Sequence, residues 1–141
     1  KRITELTGKA VVLFPIAFHM NRAPNAWSHQ RGMFAASEQR KKMFPNLLHS
    51  SLSNVAISTR LHEKPQRFVW SGLQTYYDVI QLVEQIKSGG HTAIKSDAAI
   101  DIFSYSIGAF LSEILVMTNY NNYFDATRLV MFCGGPVFFN K

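Results

Sequence analysis

The stretch Ala99-Ile100-Asp101-Ile102-Phe103-Ser104-Tyr105-Ser106-Ile107-Gly108-Ala109-Phe110 constrains this chain most. Ile100 to Tyr105 reads as a short strand, and a strongly apolar helix begins directly after Ser106. Between them stands small-x-Ser-x-Gly, close to the pattern G-x-S-x-G, with Ser104 where the first glycine usually stands. A chain that turns from strand to helix in about one residue crowds the positions two before and two after the turn. Small residues there relieve the collision. Ser106 is expected at the tip with its hydroxyl exposed. The helix N-terminus beneath it offers backbone N–H groups and the positive end of a dipole, which suit negative charge developing on a substrate oxygen. An ordinary strand-to-helix turn uses the same residue types, so the flanking elements carry the argument.

Those elements repeat along the chain. Ala10 to Phe18 (AVVLFPIAF) is continuously apolar and reads as a central strand buried on both faces, with Pro15 taking its second half out of the sheet. His19 to Asn25 reads as a loop, and Trp27 to Phe44 as a weakly amphipathic helix stopped by Pro45-Asn46. Leu47 to Leu52 reads as a short turn of helix and Asn54 to Arg60 as a second strand. Gly72 to Lys87 is a helix whose apolar face carries Leu73, Tyr76, Tyr77, Ile80, Val83 and Ile86. Ser71 reads as its N-cap, and Gly89-Gly90 ends it. After the polar connection His91 to Ala98 comes the Ile100–Tyr105 strand. The next helix, apolar over most of its circumference, is expected to be buried. Arg128 to Cys133 is a fourth buried strand. Strands alternating with crossovers long enough for helices predict an α/β fold, a mostly parallel sheet with helices on both faces.

Composition narrows the alternatives. The 141 residues suit a single α/β domain, and 47% hydrophobic content with eleven Phe supports an aromatic-rich core. The net charge of +6 is scattered apart from Arg40-Lys41-Lys42, without the aromatic interleaving of a nucleic-acid surface. No apolar run reaches membrane-spanning length. The five histidines, His19, His29, His49, His62 and His91, show no metal-ligand spacing, and neither a metal nor another cofactor is expected. Cys133, the one cysteine, sits in an apolar run and reads as a buried, inert thiol, which fits a reducing, cytoplasmic setting.

In this order the parts resemble the middle of the α/β-hydrolase fold, over nearly the whole chain. Ala10 to Phe18 resembles the strand before the oxyanion loop, and His19-Met20-Asn21 is similar to the loop that follows it. Asn54 to Arg60 resembles the next strand, Gly72 to Lys87 the helix before the nucleophile strand, Ile100 to Gly108 the nucleophile elbow, and Arg128 to Gly135 the strand after it. The resemblance implies that Ser106 is the nucleophile. It implies oxyanion donors from the backbone of Ile107 and of Met20 or Asn21, with His19 and Tyr105 lining the pocket. In the family the acid and histidine follow the nucleophile, yet no histidine follows Ser106, and the only acids after it are Glu113 and Asp125. The expectation is therefore a fragment of a larger domain, with acid and histidine outside this segment. Its last strand is expected to pair with a missing continuation of the chain or with another subunit.

The implied function is a serine hydrolase acting on a small-molecule acyl substrate, such as an ester, through an acyl-enzyme. Alternatives are an acyltransferase on the same scaffold and a non-catalytic binding domain, which the missing base favours. A nucleotide-binding version needs a glycine-rich loop after the first strand, and Phe18-His19-Met20-Asn21-Arg22 has none.

Overall fold

A computed structural model describes residues 1–25, 29–47, 55, 58 and 61–134. In chain order they form α1 (Arg2–Thr7), α2 (Gln30–Met43), α3 (Gln66–Lys87), β1 (Asp101–Tyr105), α4 (Ile107–Thr118) and β2 (Arg128–Phe132). Short 3-10 turns stand at Met20–Arg22 and Tyr120–Asn122. The protein is a small α/β chain with two parallel strands among the described residues. It divides into two compact units, Lys1–Phe14 with Thr75–Lys141, and Pro15–Gln74.

In the first unit β1 and β2 lie side by side in parallel, with Asp101 opposite Arg128 and Tyr105 opposite Phe132. Parallel neighbours need a long crossover, and α4 supplies it. Its buried residues Ala109, Ser112 and Leu115 recur every three positions and form one inward stripe. Leu115 packs with Ile80 and Val83 of α3 and with Phe124, and Ile100, Ile102 and Leu111 close around them. The buried Ser112 hydroxyl donates to the Gly108 carbonyl at 2.8 Å, so it enters the core satisfied. Both helix ends use left-handed residues. Gly89, at φ 80, follows α3, and Asn119, at φ 41, follows α4 and returns its N–H to the Leu115 carbonyl. On the sheet face away from Ile102, Phe103, Tyr105, Val130 and Phe132 are 70%, 63%, 55% and 56% exposed, a bare apolar surface.

At the amino end of the sheet the register is pinned by charge. Arg128 donates Nε and Nη2 to the two carboxylate oxygens of Asp101, at 2.9 and 2.6 Å. Lys9 Nζ adds a third contact at 2.6 Å. The Arg128 bonds, then that from Lys9, hold the Asp101 carboxyl well below its ordinary 3.8. A carboxyl lowered on folding stabilises the fold above its unfolded value, and that contribution is lost as the pH falls below 3.8 toward the folded value. Urea unfolding of wild type and Asp101→Asn is thus expected to differ at pH 7, with a gap that begins to narrow only below pH 3.8 and is still largely present at pH 3. A gap that stays constant with pH would remove the ion pair as its cause.

The second unit contains α2, the Met20–Arg22 turn and the first half of α3. Ser37 of α2 is buried, whereas Phe34 is exposed. The expected N-cap, Ser71, lies inside α3, which begins at Gln66 just after Pro65, a residue suited to helix starts. Ser71 is buried, and its Oγ donates to the Ala17 carbonyl at 2.6 Å. An inward-facing hydroxyl bonded to a neighbouring segment carries the same sequence signature as a cap.

Other expectations change as well. The run Ala10 to Phe18 forms no strand, and Val11 to Phe14 are exposed. It has no ladder partner among the described residues, and an apolar run without a partner is not a strand. Of the strand expected over Asn54 to Arg60, the described residues Val55 and Ser58 are helical, and the others lie outside the described residues. Of the four expected strands, two form among the described residues. The turn of helix expected from Leu47 to Leu52 falls, beyond Leu47, outside the described residues. Residues 1–9 contain α1. On α3, Leu73 and Tyr77 of the expected inward face are exposed, while Ile80, Val83 and Ile86 are buried. On α4 burial is confined to one stripe, and Met117 is 84% exposed.

Candidate active site

Only Ser106 separates the last residue of β1 from the first of α4. The whole reversal falls on it, and it adopts φ 54 and ψ −125. That is the mirror image of an ordinary extended corner, a conformation glycine takes freely and L side chains avoid. The conformation is held from both sides. The Ser106 N–H donates to the Phe132 carbonyl at the end of β2, at 3.0 Å, and the Ser106 carbonyl accepts the Ala109 N–H at 2.9 Å. The residue itself is exposed.

The small flanking residues do what the turn requires. Ser104 is buried, with its Oγ 3.4 Å from the Val130 carbonyl. A Cβ added at Gly108 would stand 4.0 Å from the Ser104 Cβ. The two positions face each other beneath the turn at ordinary van der Waals distance.

Ile107 and Gly108 open the twelve-residue helix α4. Their N–H groups are among those an α-helix leaves without an intrahelical acceptor. The first turn carries no acidic side chain to offset the positive end of the helix dipole. Donors and a field of this sign suit negative charge that develops on an oxygen held at this helix start.

Tyr105 projects on the bare sheet face and stacks on Phe132, with ring centroids 5.9 Å apart and planes 25° from parallel. Cys133 is a correction: its thiol is exposed, not buried. It follows β2 with a φ of 50, so the carboxyl edge of the sheet carries two left-handed residues, Ser106 and Cys133. The apolar run around Cys133 hid this, because Val130, Met131 and Phe132 are themselves exposed.

The remaining candidates belong to other elements. His19, Met20 and Asn21 belong to the second unit. There His19 Nδ1 donates to the Ala17 carbonyl at 3.3 Å, and Met20 and Asn21 start the 3-10 turn. Arg22 ties the same turn to the Pro15 carbonyl at 2.9 Å. In the first unit, Glu113 is half-buried in α4, and Asp125 accepts from Asn119 Nδ2 before the amino end of β2. His91 precedes β1, at the end opposite Ser106. Among the described residues no group of three His, Cys, Asp or Glu side chains is placed to hold a metal ion, and no helix is long and apolar enough to cross a membrane.

The site is thus a strained serine at the carboxyl edge of a parallel pair, over a helix N-terminus, in an α/β protein. Over residues 1–140 the chain matches DUF6051, a family of unknown function, and belongs to it. No curated protein and no solved structure matches the chain.

Proposed function

We propose that this chain carries the nucleophile of a serine hydrolase of the α/β-hydrolase type, acting on an ester or related acyl substrate through an acyl-enzyme on Ser106. The observation behind this reading is the backbone of Ser106, φ 54 and ψ −125 on an exposed residue between strand and helix. Strain of this kind, in a residue that is not glycine, concentrates at functional sites.

In this reading Ser106 Oγ attacks the substrate carbonyl while a base takes its proton. The oxyanion is held by the Ile107 N–H at the start of α4. Collapse expels the leaving alkoxide, which is protonated as it departs, and water then hydrolyses the ester on Ser106. The base is assigned to a histidine outside residues 1–141. His91 is the single histidine of the unit that holds Ser106, and its Nδ1 is engaged at the other end of β1. The order Ser, acid, His of such enzymes agrees with that assignment.

A fluorophosphonate probe tests it. The native, full-length protein is expected to be labelled at Ser106, mapped by peptide mass, and Ser106→Ala is expected to remain unlabelled. A folded protein that resists the probe would count against the hydrolase.

A further inference from the structure

The segment 91–98 joins α3 to β1, at the end of the strand opposite Ser106. Its conformation depends on one side chain. His91 Nδ1 accepts the backbone N–H of Ala93 at 3.2 Å and that of Ile94 at 3.1 Å. A ring nitrogen that accepts carries no proton, so the neutral ring holds its proton on Nε2. The pattern, a side-chain acceptor bonded to N–H groups two and three residues on, is the one Asn, Asp or Ser side chains use to fix turns. Here a titratable group does the same work. The loop is tied down further on by Ala98, whose N–H donates to the Lys95 carbonyl and whose carbonyl accepts Lys87 Nζ at 2.9 Å. The charged groups around His91 are Lys95 and Asp97, which line the same hollow, and Lys87, reaching in from α3.

We propose that His91 is a proton-operated latch on this loop. The neutral ring holds the turn at Ala93 and Ile94. Protonation at Nδ1 converts the acceptor into a donor that faces two other donors, so both bonds are lost and the turn is released. Imidazole is the side chain whose charge ordinarily changes between pH 5 and 8. The latch is independent of the assignment made for Ser106.

Amide hydrogen exchange read by NMR at pH 8 and pH 5, corrected for the intrinsic pH dependence, tests the latch. In wild type the protection of the Ala93 and Ile94 amides is expected to fall about three- to tenfold at pH 5, as for loss of one modest hydrogen bond. His91→Asn places a non-titrating acceptor at similar reach and is expected to keep protection at both pH values. His91→Ala is expected to lose it at both. The Gly90 amide, bonded to the Gln85 carbonyl, is the internal reference for intact fold. The Asp101 carboxyl stays ionised at pH 5, because Arg128 and Lys9 hold it below its ordinary value. Equal protection of wild type at the two pH values overturns the proposal. So does wild-type protection in His91→Ala, or an equal acid loss in His91→Asn.

Discussion

Ser106→Gly is expected to abolish fluorophosphonate labelling and at the same time to make the protein more stable. Glycine adopts φ 54 and ψ −125 without a Cβ clash, whereas strain in such a region amounts to about 1–3 kcal/mol for other residues. The greater freedom of glycine in the unfolded chain takes back about 0.5–1 kcal/mol. A net gain of about 0.5–2 kcal/mol in urea unfolding follows from these two values. Ser106→Ala separates the causes. It also loses the nucleophile but keeps a Cβ, so its stability is expected to stay within about 0.5 kcal/mol of wild type. If the glycine variant is no more stable than the alanine variant, the turn holds no strain, and the main support for a catalytic Ser106 goes with it.

The second large effect is expected at Leu115. It is 3% exposed and central to the cluster of Ile80, Val83 and Phe124. Leu115→Ala removes buried methyl groups from contact with α3 and Phe124 and is expected to cost about 2–5 kcal/mol. Met117 lies on the outer side of the same helix, 84% exposed. Met117→Ala is expected to change stability by less than about 0.5 kcal/mol. The half-buried Leu111 and Ile114 should fall between the two. Similar values for Leu115 and Met117 would show that α4 does not pack by the stripe Ala109, Ser112, Leu115.

What the sequence made legible is local chemistry. β1 and β2 were placed to within a residue at each end. The elbow was legible, since the residues that permit it are contiguous. The conformation of Ser106 was not, because serine carries no sign of a left-handed φ as glycine does. The run Ala10 to Phe18 misled because a strand is defined by its hydrogen-bonded neighbour, and periodicity is silent about neighbours. Ser71 misled because a hydroxyl that caps a helix and one that bonds a distant carbonyl look identical in one dimension. Cys133 misled because apolar composition predicts burial only if something packs on it. The family membership leaves the assignment of Ser106 to experiment.

The bond from the Ser106 N–H to the Phe132 carbonyl has a consequence for when the site exists. Residues 104–108 contain every small side chain the turn needs, yet the acceptor that fixes Ser106 arrives only with β2. A slip of one residue between the strands displaces that acceptor by about 3.3 Å and sends the side chains of β2 to the wrong faces. The pairing of Asp101 with Arg128 at the opposite end guards against the slip. During synthesis from the N-terminus, a chain that has reached only α4 carries Ser106 as an unremarkable serine. Its distinctive backbone is installed late, by the strand that completes the pair, so the chain cannot present this geometry before that part of it has folded.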